Sequence, residues 1–106
     1  MSQPLVEVLT FDGCPHAGTA LELARRVVAE SGISAIVHRV DISDPETAAA
    51  ERFIGSPSIR VNGRDIEPGA CERDEYVLSC RVYRTAQGLR GEPDERWLRD
   101  ALDAAA

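Results

Sequence analysis

The dipeptide Asn62-Gly63 is the feature of this sequence that most limits the possible folds. It separates two runs of β-forming residues, 58–61 and 64–66, and Asn-Gly between two such runs is the strongest short-range signal for a two-residue β-hairpin. The runs are therefore predicted to be neighbouring antiparallel strands. They are the third and fourth strands of the chain, because two other β-patterned segments precede them.

A strand–helix–strand–helix series precedes this hairpin. Residues 5–10 alternate in character and predict a first strand. Apolar residues recur at helical spacing over 17–28 and predict a helix, which Gly32 is well suited to end. The β-branched segment 33–40 predicts a second strand. Asp44, followed by a proline, is a favourable N-cap for a short second helix.

The C-terminal third of the chain carries weaker patterns. Residues 68–91 are expected to form a loop-like insertion, with one short strand or turn around 76–83. Residues 92–95 then open a last helix whose inward face holds Trp97, Leu98 and Ala101. A chain of 106 residues has room for one hydrophobic core, so we predict a single α/β domain over 1–106.

Charge and cysteine content narrow the class of protein. The formal net charge is −6, which argues against nucleic acids and anionic membranes as partners. No apolar run approaches the ~20 residues that span a bilayer, and residues 1–4 lack the basic start of a signal peptide. We therefore expect a cytoplasmic protein. Its three cysteines are an odd number without metal-knuckle spacing, so a disulfide-stapled domain is not expected.

One cysteine lies where the first strand gives way to the first helix. Cys14 is followed by Pro15, which suits the first turn of a helix, and then by His16. A thiol at a helix N-terminus faces unpaired N–H groups and the positive end of the helix dipole, which favour the thiolate. His16 either adds to this stabilisation or simply faces solvent. The alternative for Cys14 is a buried cysteine that only packs.

The order of these elements resembles the thioredoxin fold. The resemblance rests on two motifs, Gly-Cys-Pro-His at 13–16 and Ile-Gly-Ser-Pro-Ser at 54–58, and it covers residues 5–69 and 92–106. It implies a four-stranded mixed sheet flanked by helices, with the insertion placed between the fourth strand and the last helix. Thioredoxin-like proteins hold a cis-proline beside the reactive cysteine, and Pro57 matches that position.

The sequence departs from this family at one decisive position. Dithiol members carry Cys-X-X-Cys, whereas here the second cysteine is replaced by Ala17. Cys-Pro-His is similar to the DsbA-type oxidases, whose histidine stabilises the thiolate, and this implies the same role for His16. A resolving thiol would have to come from elsewhere. In this fold the insertion leaves the sheet at the edge that carries Cys14, which makes Cys71 and Cys80 candidates. The alternative for Cys80 is a buried strand residue.

The resemblance also suggests which residues contact a substrate. Pro57 is expected to shape a groove, together with Ser56 before it. Arg81 and Tyr83 lie in the insertion and are further candidates for this groove. An arginine there is able to hold an anionic group, such as the carboxylates of a low-molecular-weight thiol. The alternatives are that Arg81 lies on a solvated face or pairs with the many acids of this chain.

Three functions compete on these observations. The first is thiol–disulfide or related thiolate chemistry through Cys14, without a cofactor, on a small thiol or disulfide, an electrophile or a protein disulfide. The second follows from a resemblance to small bacterial proteins labelled alkylmercury-lyase-like, and implies a soft metal held by Cys14 with Cys80 or Cys71. A zinc site is not expected, because the ligand spacing is too wide. The third is a non-catalytic adaptor that has kept the fold and lost the redox pair, as Ala17 in place of the second cysteine suggests.

Overall fold

The computed structural model describes residues 3–106. Within this range the chain forms six strands, three α-helices and one turn of 3-10 helix at Ala70–Glu72. The strands are β1 (Leu5–Thr10), β2 (Ile36–Asp41), β3 (Ser58–Val61), β4 (Arg64–Asp65), β5 (Tyr83–Thr85) and β6 (Gly88–Arg90). The helices are α1 (Ala17–Ser31), α2 (Pro45–Ala50) and α3 (Glu95–Ala105). No helix in the described range combines the length and the apolar composition that crossing a bilayer requires.

Four of the strands form one mixed sheet in the order β2-β1-β3-β4. Strand β1 is parallel to β2 and antiparallel to β3, and β3 is antiparallel to β4. The parallel pair needs a crossover connection, which α1 supplies. The prediction of an α/β fold with a four-stranded mixed sheet flanked by helices is therefore confirmed at this level.

Helices α1 and α3 cover one face of the sheet. Small residues at helical spacing face the sheet from α1, so that the helix backbone approaches closely, and α3 adds two fully buried leucines. Replacing Leu98 by alanine would cost about 2–5 kcal/mol, because the side chain is entirely buried. The buried residues of this cluster are Val6, Val8, Ala20, Ala24, Val27, Ile59, Val61, Ile66, Leu98 and Leu102.

Helix α2 and the turn after it cover part of the opposite face. The side chain of Asp44 accepts a hydrogen bond from the Thr47 N–H at 2.7 Å, so the predicted N-cap is confirmed. This bond is the main reason why the pKa of Asp44 is lowered. Phe53 and Leu9 are buried in a second, smaller cluster under α2, together with Ile42 and Ala48.

The β3–β4 hairpin turns at Asn62 and Gly63, as predicted. Both residues have positive φ, at 52° and 84°, which is the backbone of a type I′ turn. The Asn62 side chain also accepts a hydrogen bond from the Leu5 N–H at 2.9 Å, and its own N–H donates to the Leu5 carbonyl at 2.8 Å. The turn is thus fastened to the first residue of β1, at the end of the sheet away from Cys14.

The insertion differs from its predicted form. The short strand or turn predicted around 76–83 is a bend with an isolated bridge at Cys80, and a two-stranded hairpin, β5–β6, follows it from Tyr83. Its turn is closed by Thr85, whose hydroxyl donates to the Gly88 carbonyl and accepts from the Gln87 N–H. Strand β4 is also shorter than predicted, because the Asp65 carboxylate accepts a hydrogen bond from the Glu67 N–H and bends the chain.

Candidate functional site

The loop from β1 to α1 and the segment before β3 meet at one end of the sheet. Leu9 pairs with Ser58, so the residues that follow β1 lie beside those that precede β3. The Ser56–Pro57 peptide bond in that segment is cis. Cys14 is half-buried in the β1–α1 loop, where its N–H donates to the Phe11 carbonyl at 3.2 Å.

Helix α1 begins later than predicted. Its first residue is Ala17, and the preceding His16 has a non-helical backbone with ψ 4°. Pro15 therefore lies in the turn before the helix and not in its first turn. The Ala17 N–H donates to the Cys14 carbonyl at 3.3 Å, which ties the turn together. Cys14 consequently stands just outside the helix end, one short turn ahead of it.

The His16 side chain is held by the end of the insertion. Its Nδ1 lies 3.1 Å from a carboxylate oxygen of Glu92. The ring also lies over Gly91 so closely that a Cβ at that position would collide with Nε2. A side chain at 91 would push the ring out of this position, and Glu92 orients the imidazole. With Nδ1 facing the carboxylate as a donor, the other ring nitrogen, Nε2, faces Gly91.

Cys80 lies beside the segment that contains the cis bond. It forms an isolated parallel bridge with Ser56. Two backbone hydrogen bonds make this bridge: the Ser56 N–H donates to the Ser79 carbonyl at 2.8 Å, and the Arg81 N–H donates to the Ser56 carbonyl at 2.9 Å. The cysteine is exposed, so the alternative of a buried strand residue is wrong. Cys80 and Cys14 thus belong to the same end of the sheet.

Arg81 is buried and bound by internal partners. Its guanidinium donates to both carboxylate oxygens of Asp65, at 2.7 and 3.1 Å, to Glu67 at 2.8 Å and to the Ser58 hydroxyl at 2.8 Å. Burial opposes its charge, but the bonds to Asp65 and the surrounding charges outweigh that effect, so the pKa of Arg81 is raised. The guanidinium also stacks 4.4 Å from the ring centre of Tyr83.

Tyr83 is fully buried next to this arginine. Its hydroxyl donates to the Pro57 carbonyl at 2.5 Å. Burial raises the pKa of Tyr83 well above its usual range. We expected Arg81 and Tyr83 to line a substrate groove, but the structure turns both inward, where they support the segment around Pro57. The solvated face is wrong for Arg81 as well, because only 2% of its side chain is exposed, whereas the predicted pairing with acids is confirmed.

Cys71 lies in a different part of the structure. It is exposed in the 3-10 turn and lines a cleft together with Gly63 and Arg64, next to the β3–β4 hairpin. All three cysteines are free thiols. Within residues 3–106, no three or more side chains of His, Cys, Asp and Glu lie close enough together to hold a metal ion.

The residues that sequence reasoning missed are the partners of the predicted ones. Glu92 and Gly91 position His16, and Asp65 and Glu67 bind Arg81. A glycine directly before an acidic residue is the only local signal for the first pair, and it is too common to be specific. Comparison of the chain with protein-family models, with curated proteins and with solved structures gives no match.

Proposed function

We propose that this chain is a thioredoxin-like thiol protein in which Cys14 attacks a disulfide or another electrophile. The sheet order, with the strand before Cys14 in the interior, supports this topology. So does the position of Pro57 directly before β3, at the end of the sheet that carries the cysteine. The substrate class is a small disulfide or a protein disulfide.

The contact between His16 Nδ1 and the Glu92 carboxylate is the observation that carries the proposal. A nucleophile is activated by a nearby base, and the base is held in place by a third group. Here Cys14 is the nucleophile, His16 is the base two residues later, and Glu92 holds the base at 3.1 Å. In this proposal Nε2 takes the thiol proton and later returns it to the leaving group.

The complete exchange uses Cys80 as the second thiol. The Cys14 thiolate attacks one sulfur of the substrate disulfide, and the other sulfur leaves with the bonding electron pair and takes a proton from His16. The Cys80 thiolate then attacks the Cys14 sulfur of the mixed disulfide and releases the second substrate thiol. Two electrons pass from the two protein thiols to the substrate. A small external dithiol, such as dithiothreitol, reduces the Cys14–Cys80 disulfide again.

The test measures alkylation of Cys14 by iodoacetamide at pH 7, followed by peptide mass spectrometry. Cys71→Ser serves as the parent, so that one exposed thiol is removed from the readout. We expect Cys14 to react faster in the folded chain than in urea. His16→Asn should lower the rate by up to ~10²-fold, the usual size of an acid–base contribution.

Glu92→Gln should lower the same rate by less than His16→Asn, because it loosens the base without removing it. Glu22→Gln, an exposed substitution on α1, is the matched control and should leave the rate unchanged. If Cys14 reacts no faster in the folded chain than in urea, the catalytic role is refuted. The adaptor function would then be the better explanation of this chain.

Soft-metal binding is the second candidate, favoured by the position of Cys14 and Cys80 at one end of the sheet. Thiophilic ions are satisfied by two thiolates, unlike a closed four-ligand site. We expect the Cys71→Ser parent to bind one Hg²⁺ per chain and Cys80→Ser in that background to lose most of the affinity. Binding that survives the loss of Cys80 would argue against this pair as the site.

A further inference from the structure

Four arginines of this acidic chain line one cleft. The cleft has a volume of about 390 Å³ and lies between the end of α2 and the β3–β4 hairpin. We call it the arginine cleft. Two acids also line it, but one of them, Asp65, is bound by the buried Arg81 through two hydrogen bonds. The four arginines are Arg52, Arg60, Arg64 and Arg73. In a chain of net charge −6, this local excess of positive charge needs an explanation.

Two of these arginines are positioned without losing their charge. Arg60 donates to the backbone carbonyls of Glu51, at 2.6 Å, and Arg52, at 3.0 Å, and these acceptors are neutral. Arg73 lies 3.1 Å from a carboxylate oxygen of Glu67, but the same oxygen also accepts from Arg81. One carboxylate therefore serves two guanidinium groups, and the cleft keeps a surplus of positive charge.

The backbone at Arg52 is a second, independent observation. Arg52 has φ 55°, in the left-handed region. It follows the end of α2, where its N–H donates to the Ala49 carbonyl and the next N–H donates to the Ala48 carbonyl. This is the position after a helix at which glycine is preferred. A side chain is disfavoured there, and residues held in such conformations cluster at functional sites.

An exposed thiol completes the cleft. Cys71 lines it beside Arg64, and both residues also line the neighbouring cleft under α3. Glu51, the second acid that lines the cleft, carries the opposing charge. The volume lies within the range of sites for small molecules, which starts near 300 Å³. Guanidinium groups bind carboxylates in a planar, paired geometry.

We propose that the arginine cleft binds small disulfides that carry carboxylates and that Cys71 forms a mixed disulfide with them. The Cys71 thiol loses its proton to solvent, and the thiolate attacks one sulfur of the bound disulfide. The old S–S bond breaks as the new one forms, and the other half leaves as a thiolate with the electron pair. The site is separate from Cys14, so this proposal does not depend on the function proposed above.

The test compares two probes that differ in charge. 5,5′-Dithiobis(2-nitrobenzoate) carries two carboxylates, whereas 4,4′-dithiodipyridine is neutral at pH 7.5. The protein is the full chain with Cys14→Ser and Cys80→Ser, which leaves Cys71 as its single thiol. Charge selectivity is the rate constant for the dicarboxylate probe divided by the rate constant for the neutral probe. The same ratio measured in urea provides the reference. We expect the folded ratio to exceed the unfolded ratio several-fold at low salt and to fall towards it in 1 M salt.

Substitutions in the cleft should move this ratio in opposite directions. Arg52→Gly and Arg64→Gln should each lower it by about fivefold, the effect of one unit charge at ~4 Å in water. Glu51→Gln should raise it, because it removes the opposing charge in the lining. Arg52→Gly should also raise the urea midpoint of unfolding, because glycine suits the left-handed backbone, so a loss of selectivity cannot be ascribed to a damaged fold. Arg25→Gln, an exposed substitution on α1, should change nothing.

Two outcomes would overturn the proposal. One is a folded ratio equal to the ratio in urea. The other is a ratio that responds to Arg25→Gln as strongly as to Arg52→Gly and Arg64→Gln, which would indicate only the overall charge of the chain. If the alkylation experiment shows that Cys14 is unreactive, the proposed function of Cys14 fails, but the selectivity measured at Cys71 is unaffected.

Discussion

Arg81→Met tests the most buried polar contact of the site. The arginine side chain is 2% exposed, and its two carboxylate partners, Asp65 and Glu67, are 9% and 11% exposed. Methionine fills much of the same volume but leaves both carboxylates without their main cation. Removing one partner of a buried ion pair typically costs about 3–5 kcal/mol. Because Arg73 still contacts Glu67, we place the cost near the lower end, at about 3 kcal/mol.

The assay is urea unfolding at pH 7 by circular dichroism. Domains of this size have unfolding free energies of about 5–15 kcal/mol, so a loss of about 3 kcal/mol would shift the midpoint clearly. Asp65→Asn in the Arg81→Met background should recover part of the loss, because it removes one unpaired charge. Arg84→Met is the matched control, since Arg84 is exposed, and should stay within about 0.5 kcal/mol of the parent.

A loss below about 1 kcal/mol for Arg81→Met would refute the reasoning, since that is the range of surface ion pairs. So would a double variant that is less stable than Arg81→Met alone, because the unpaired Asp65 carboxylate would then not be the source of the cost.

Three further predictions concern pH and the histidine. Asp44→Asn keeps the N-cap but removes a carboxyl whose pKa is lowered in the folded chain. The parent loses stability as pH falls below about 4, because this carboxyl becomes protonated, and the variant should lose less. Urea midpoints at pH 3 and pH 6 measure the difference. Tyr83 has a raised pKa, so stability should fall as pH rises above about 10, where the unfolded chain ionises; Tyr83→Phe should reduce that slope in the same urea measurement. Gly91→Ala should displace the His16 ring, which the new Cβ would meet, and slow the alkylation of Cys14.

Local chemistry explains which parts of the fold were predictable. Both central positions of this turn, 62 and 63, require positive φ, and few residue pairs adopt it as readily as Asn-Gly. The turn could therefore be located from these two residues alone. Asp44 and Gly32 mark helix ends for equally local reasons: one accepts the hydrogen bond of an N-cap, and the other adopts φ 72° after α1.

Long-range pairing explains what could not be predicted. Arg81 was expected in a substrate groove, but Asp65 and Glu67 come to it once β4 and the insertion pack together, and they hold it inside. The same holds for Glu92 and His16, which lie near opposite ends of the chain. A single sequence shows that such residues exist, but not which of them will meet.

The insertion was the least predictable segment, because its own signals conflict. The stretch before β5 is rich in β-forming residues, yet it pairs only through the isolated bridge between Cys80 and Ser56 and forms no strand ladder. The hairpin that does form depends on the hydrogen bonds of a single threonine, Thr85. Placement of Cys80 beside Ser56 and of Cys71 in the arginine cleft could not be derived before these contacts were known.

The central claim is that Cys14 and Cys80 act as a pair, and disulfide mapping tests it most directly. The reduced wild-type chain is treated with a small disulfide, quenched in acid, digested and analysed by mass spectrometry. The account predicts a Cys14–Cys80 disulfide that dithiothreitol opens, with Cys71 outside that bond. A disulfide between Cys14 and Cys71 would contradict the account. So would a Cys14 that stays in its mixed disulfide while Cys80 remains a free thiol.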